Sequence, residues 1–175
     1  MSIEDLIRIF HHRWAAPVLA ELERSRGTRF VFLARSLGVT NESLRRTLDA
    51  LIELGLVQRN PGYGHPLRPE YLLTEEGRLA APTCRRLLAA SASVAELRKW
   101  SIPALAVLGT ERRFSELRAL LPGVTPRSLA LALKDLQQAG LATRRVTPDY
   151  PPSTVYAPTE LGQQLQKAVA KDVPN

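Results

Sequence analysis

Apolar residues recur along this chain at helical spacing, and the whole pattern then recurs a second time. Ile3, Leu6, Ile7 and Phe10 fall at i, i+3, i+4 and i+7, which predicts a short amphipathic helix with one apolar stripe. The next helix is predicted from about Ala15 to Arg24, with Pro17 in its first turn, where a missing N–H leaves nothing unpaired. A short helix near Phe30 to Leu37 closes on Gly38, a residue suited to a left-handed cap. Thr40 then caps a fourth helix, whose buried stripe is Leu44, Thr47, Leu48 and Leu51 and which ends at Gly55. Leu56 to Arg59 starts a strand. Asn60 to Pro66 is dense in turn residues and reads as a hairpin tip, Pro69 to Leu73 returns as the second strand, and Thr74 caps a further helix.

The second half repeats this order. Trp14-x-x-Pro17 returns as Trp100-x-x-Pro103, and Gly38-Val39-Thr40 with Ser43-Leu44 returns as Gly123-Val124-Thr125 with Ser128-Leu129. Gly55-Leu56 returns as Gly140-Leu141, and Tyr71 with Thr74-Glu75-x-Gly77 returns as Tyr156 with Thr159-Glu160-x-Gly162. A period this long marks a duplicated domain rather than a solenoid. The second set of helices is predicted near 102–109, 115–121 and 126–139, the last started by Thr125-Pro126 and packed through Leu129, Ala132, Leu133 and Leu136. Strands near 142–147 and 154–157 flank a tip at Thr147 to Ser153, and a last helix runs from Glu160 to about Lys171. Helix, short helix, glycine turn, capped helix and hairpin is the order of a winged helix-turn-helix. The predicted fold is therefore mainly α with small β-hairpins (α+β), as two tandem winged helix-turn-helix domains at 1–82 and 83–175. The region from Thr74 to Lys99 joins them as a mostly helical linker that Pro82 is expected to kink or restart.

Composition changes this picture in one direction. The net charge is +7 over 175 residues, and the excess is mostly arginine, which pairs bidentately with phosphate and with guanine edges. Double-stranded DNA is the expected partner. Aromatics are only 6%, too few for a stacking platform on single strands. A unit of roughly 80 residues is marginal alone, so shared packing between the halves is expected. The single cysteine, Cys84, permits no internal disulfide, which suits a reducing cytosol. The N-terminus is acidic and no apolar run is long enough to span a bilayer, so a cytoplasmic, nucleoid-associated protein without membrane attachment is expected. His11, His12 and His65 lack neighbours at metal-ligand spacing, and no nucleophile, carboxylate pair or phosphate loop occurs. Neither a metal, a cofactor nor an enzyme is expected.

A helix-turn-helix sets its second helix in the major groove with N-terminal residues at base edges. Angular position places Glu42, Arg45, Arg46 and Asp49 away from the leucine stripe of the first such helix, with Thr40, Asn41 and Ser43 at its N-terminus. Arg45 and Arg46 suit guanine or phosphate. They also stand at i,i+4 spacing to Asp49 and Glu42, the pattern of a solvated helix face. In the second unit Thr125, Arg127, Ser128, Ala130, Leu131, Lys134 and Gln138 lie outward. Arg127 and Lys134 suit DNA, whereas Leu131 needs an apolar partner, either a thymine methyl or a protein. The first unit is on this ground the expected sequence reader. Arg59 and Arg68 on the first hairpin, and Arg144 and Arg145 on the second, are candidates for phosphate contacts. A competing reading is a winged-helix protein-docking module, favoured by Leu131 and by the self-cancelling charges of the first reading helix.

The second unit also carries a specific resemblance. Lys99-Trp100, Arg113-Phe114-Ser115-Glu116-Leu117-Arg118, Pro122-Gly123-Val124-Thr125-Pro126, Gly140-Leu141, Arg144-Arg145-Val146, Pro151-Pro152, Tyr156 and Thr159-Glu160-Leu161-Gly162 occur in order. Over residues 99–165 the chain resembles the HxlR family of bacterial winged helix-turn-helix regulators. The first unit, from Trp14 to Gly77, resembles it more weakly. The resemblance implies double-stranded DNA binding and transcriptional control. Members with one unit pair as homodimers through terminal helices, so two units in one chain imply either a homodimer or an intramolecular pseudo-dimer. Ser153 stands where the family often has a basic wing residue. Some relatives sense oxidants through a cysteine upstream of the tryptophan. Cys84 precedes Trp100 at a longer spacing than in those relatives, beside Arg85 and Arg86, which would lower a thiol pKa; a small packing residue is the leading reading of this lone cysteine and a sensor the alternative.

Overall fold

A computed structural model of the protein describes residues 2–60, 69–148, 150 and 152–170. The first unit runs α1 (Ile3–Phe10), α2 (Ala15–Ser25), β1 (Thr28–Arg29), α3 (Phe30–Leu37), α4 (Asn41–Glu53), β2 (Val57–Asn60), β3 (Glu70–Leu73) and α5 (Glu75–Ala90). A 3-10 turn, Ala92–Glu96, leads into the second. That unit runs α6 (Ser101–Ala106), β4 (Arg112–Arg113), α7 (Phe114–Leu120), α8 (Pro126–Gln138), β5 (Ala142–Val146), β6 (Thr154–Pro158) and α9 (Glu160–Ala170). The tandem winged helix-turn-helix architecture is therefore present. The hairpin segment containing Arg68, and Pro151 in the second tip, lie outside the described residues.

Each unit turns from its short helix to its reading helix through a left-handed glycine. Gly38 has φ +60° and Gly123 has φ +78°, a conformation that costs a residue with a Cβ roughly 1 kcal/mol or more. The Thr40 hydroxyl then accepts from the Ser43 amide at 3.3 Å, and the Thr125 hydroxyl accepts from the Ser128 amide at 3.1 Å. These caps satisfy amides that the first turn of a helix otherwise leaves unpaired. Leu44, Leu48 and Leu51, and Leu129, Leu133 and Leu136, are buried as the apolar spacing predicts.

Each wing has three strands where the sequence shows two. β1 and β4 are two-residue strands that pair antiparallel with β3 and β6, giving sheet orders β1-β3-β2 and β4-β6-β5. The pairing places the repeated tyrosines at the centre. Tyr71 lies between Thr28 and Arg59, and Tyr156 lies between Arg112 and Arg144. Two residues leave no alternation to read, which is why these edge strands escape a pattern search.

The two units share one core. Its buried side chains run from Leu6 and Leu19 through Leu87 to Leu105 and Leu165 without a break. α5 is continuous from Glu75 to Ala90 with Pro82 inside it, rather than restarting there. A proline in this position forgoes one backbone bond but does not end the helix, because the flanking Ala81 and Thr83 are fully buried and held by packing. α5 packs on α2 within its own unit and on α9 of the other, and α1 packs on α6. The closing helices of the two units therefore lie against each other. An Arg86 guanidinium N–H donates to the Ala168 carbonyl across this contact at 3.3 Å, and Arg85 pairs with Glu23 at 2.9 Å on the α2 side.

Candidate nucleic-acid interface

The reading helices stand out from the core with their polar faces in solvent. On α4, Asn41, Glu42, Arg45, Arg46 and Asp49 are exposed and Ser43 is half-buried. The hydroxyls of Thr40 and Ser43 are bonded to each other at 3.0 Å as part of the cap. Arg46 is ion-paired with Glu42. The Arg45–Asp49 pair permitted by spacing is not formed among the described residues, so Arg45 is the cation this helix has to offer.

On α8 the arrangement differs. Arg127, Leu131 and Lys134 lie one turn apart along one outward face, all exposed, Leu131 by 37%. Ser128 is half-buried and bonded to Thr125 at 2.9 Å. Neither Arg127 nor Lys134 meets a carboxylate among the described residues. The acid on this helix, Asp135, is turned inward to Arg98 at 3.4 Å.

The wings add arginines from the strands. Arg59 on β2 and Arg144 and Arg145 on β5 are exposed. An Arg144 guanidinium N–H donates to the Thr154 hydroxyl at 3.3 Å. Arg145 bonds both carboxylate oxygens of Glu111, at 2.8 and 3.1 Å, so part of its charge is already matched. Sequence reasoning missed Glu111, which lies far from Arg145 along the chain and becomes its neighbour through the β4 edge.

It missed a second feature as well. Val31 and Phe32, at the start of α3, are exposed by 72% and 59%. Superposing the repeats sets Phe30-Val31-Phe32 beside Phe114-Ser115-Glu116, so comparing the two halves residue by residue was the available signal. In the second unit Glu116 accepts from the Arg113 amide at 2.6 Å and closes the helix start. The first unit has no such carboxylate there.

At Cys84 the flanking arginines do not lower the thiol pKa. Its side chain is fully buried, and burial pushes the thiol up to about 12, outweighing the nearby Arg86. A protonated, enclosed thiol is a poor nucleophile, which fits a packing residue on α5. Among the described residues no group of histidine, cysteine and carboxylates is placed to hold a metal ion, and no helix is long and apolar enough to cross a membrane.

The model of the HxlR-like helix-turn-helix family matches residues 9–97 and again residues 97–171. This protein belongs to the HxlR-like helix-turn-helix family. It holds two copies of the family unit, and the first copy is matched in its own right. Among its relatives is the uncharacterised HTH-type transcriptional regulator YtfH of Escherichia coli, 37% identical over 100 residues, which cover 55% of this chain and 75% of YtfH. YkvN of Bacillus subtilis, another uncharacterised HTH-type transcriptional regulator, is 36% identical over 55 residues, covering 31% of this chain and 47% of YkvN. The match thus spans about half the length of YkvN. The reduced form of the transcriptional regulator YodB from B. subtilis is similar in structure over 57% of this chain and 87% of its own, at 26% identity and a TM-score of 0.40. In this HxlR-like chain α4 and α8 occupy equivalent places in the two family copies.

Proposed function

We infer that this protein is a sequence-specific double-stranded DNA-binding transcription regulator in which one chain supplies both halves of a dimer-like reader. Its two units would set α4 and α8 into major grooves and lay the arginines of the wings on the backbone. The observation that carries this reading is that both reading helices are capped, exposed and fitted with outward cations beside an arginine-bearing wing. The Arg-rich net charge of +7 supports it. Packing of α5 on α9 supports an intramolecular pseudo-dimer, since equivalent helices meet inside one chain as they would across a homodimer. Such a protein would act in the cytoplasm, on nucleoid DNA.

A second reading, a protein-docking module, is favoured by the exposed Val31, Phe32 and Leu131. Selection of bound fragments from a random double-stranded DNA pool, at two salt concentrations, separates the two. The DNA reading requires an enriched motif whose affinity falls steeply with salt, because each neutralised phosphate releases counterions. Steep salt dependence without enrichment would reduce the protein to a non-specific DNA binder. Absence of binding at moderate salt would leave the docking reading.

A further inference from the structure

The two reading surfaces are built alike but charged differently. The α4 helix carries Glu42, Arg45, Arg46, Asp49 and Glu53, three acids against two arginines. One of those arginines is held by Glu42. DNA approaching α4 therefore meets exposed carboxylates, which phosphates repel, and a guanidinium that must exchange its partner before it can bond a base. The helix in front of it, α3, begins with exposed Val31 and Phe32. That helix crosses the DNA backbone in a helix-turn-helix complex, and apolar side chains offer a phosphate nothing.

On α8, among the described residues, no exposed carboxylate stands on the outward face and no outward cation is held in an ion pair. Along α8, Arg127 and Lys134 project with no carboxylate between them, because Asp135 faces Arg98. Leu131 sits between the two cations on the same face. An arginine and a lysine flanking one apolar side chain match a major-groove edge that offers guanine O6 and N7 acceptors on either side of a thymine methyl. The α7 helix in front has Ser115 and Glu116 where α3 has its exposed apolar pair; the Glu116 carboxylate is bonded to the Arg113 amide at 2.6 Å, and Arg118 is exposed on the same helix.

We propose that the units divide the work. The second unit reads the sequence through Arg127, Leu131 and Lys134, and the first is a weaker contact restrained by the Glu42–Arg46 ion pair. The target is then an unequal pair of half-sites rather than a palindrome. This rests on the DNA-binding reading above. It reverses the ranking that the sequence alone suggests, in which Leu131 counts against the second unit.

The test is the random-pool selection on the full chain, followed by titration of the selected duplex with four variants. Circular dichroism confirms that each is folded; all the changed residues are on the surface. Arg127→Ala with Lys134→Ala should erase the stronger half-site and weaken binding by about 10-fold or more. Arg45→Ala with Arg46→Ala should leave the stronger half-site intact and weaken binding several-fold less. Leu131→Ala should relax the choice of thymine at one position of the stronger half-site. Glu42→Gln, which frees Arg46 and removes a charge, should tighten binding by about 3-fold at low salt. Two equal half-sites, or equal losses from the two arginine-containing double variants, would overturn the division of labour while leaving the DNA reading standing. No salt-sensitive binding by the unaltered protein would overturn both.

Discussion

Gly77 presses the first turn of α5 against the carbonyl of Leu56, so closely that a side chain at Gly77 would collide with that oxygen. Gly162 stands in the same relation to Leu141 at the start of α9. The neighbouring threonines complete the joint. Thr74 donates to the Gly55 carbonyl at 2.6 Å while accepting from the Gly77 amide at 3.0 Å. Thr159 donates to Gly140 at 2.7 Å and accepts from Gly162 at 3.1 Å. The repeated Thr-Glu-x-Gly thus locks the helix after each wing onto the turn after each reading helix.

Alanine at Gly77 or Gly162 should therefore destabilise the fold. The atom in the way belongs to a backbone fixed by the turn, so the collision cannot be relieved by a side chain moving aside. A loss of about 1–3 kcal/mol is expected for each, against a gain from helix propensity of no more than about 1 kcal/mol. Urea denaturation followed by circular dichroism measures it. A midpoint unchanged in both variants would mean that the two helices are not locked to the turns.

Much of this was legible in the sequence because it is local. The caps at Thr40, Thr125, Thr74 and Thr159, the leucine stripes and the glycine turns are all set by neighbours within a turn of helix, and they are where the pattern predicts. The exposed faces of α4 and α8 follow from the same periodicity. What stayed hidden depends on residues distant in the chain. The β1 and β4 edges exist through their pairing with β3 and β6. Burial of Cys84 depends on α5 being enclosed by other helices, and flanking arginines in the sequence suggested the opposite pKa shift. Which cations on the reading surfaces are already paired, as Arg46 and Arg145 are, also requires the three-dimensional arrangement.

Cys84 should stay unreactive in the native protein. Its enclosed thiol is raised from 9.0 to about 12 by burial. The folded state thus retains the proton at pH values where the unfolded chain has lost it. The contribution of this group to stability is present below about pH 9 and is lost as the pH rises toward 12. A thiol-reactive dye at pH 8 should label the protein only when denaturant is added, and Cys84→Ser should lower stability by putting a hydroxyl in an apolar site. Prompt labelling without denaturant would show that α5 opens and exposes the thiol.

His11 and Lys99 form a contact across the two units, with Lys99 Nζ 3.3 Å from His11 Nδ1. Partial burial first, then Lys99 and His12, hold the His11 imidazole below its ordinary value of 6.5. The unfolded chain takes up this proton before the folded one does as the medium is acidified. Stability linked to His11 is therefore present above pH 6.5 and is lost as the pH falls through the folded midpoint. His11 is exposed at the rim, so the effect is small. Lys99→Met should move the His11 midpoint upward in an NMR titration of the ring protons, though not to its full ordinary value, since burial remains. An unmoved midpoint would mean that Lys99 spends its time elsewhere in solution.

The second wing makes a graded prediction from two adjacent arginines. Among the described residues Arg144 is bonded to a neutral hydroxyl, on Thr154, whereas Arg145 grips both oxygens of Glu111. If β5 lies along the DNA backbone, Arg144 has its whole charge available for a phosphate, while Arg145 must give up a carboxylate to bind one. Arg144→Ala should then lower the slope of log affinity against log salt by about 0.9, the value for one phosphate contact. Arg145→Ala should lower it by less. Glu111→Gln should raise affinity without changing the selected sequence, because it releases Arg145 at a position that touches backbone and not bases. A change in the selected sequence in any of these variants would place the wing in a groove. Equal slopes for the two arginine variants would mean that Glu111 lets go of Arg145 on binding at no cost.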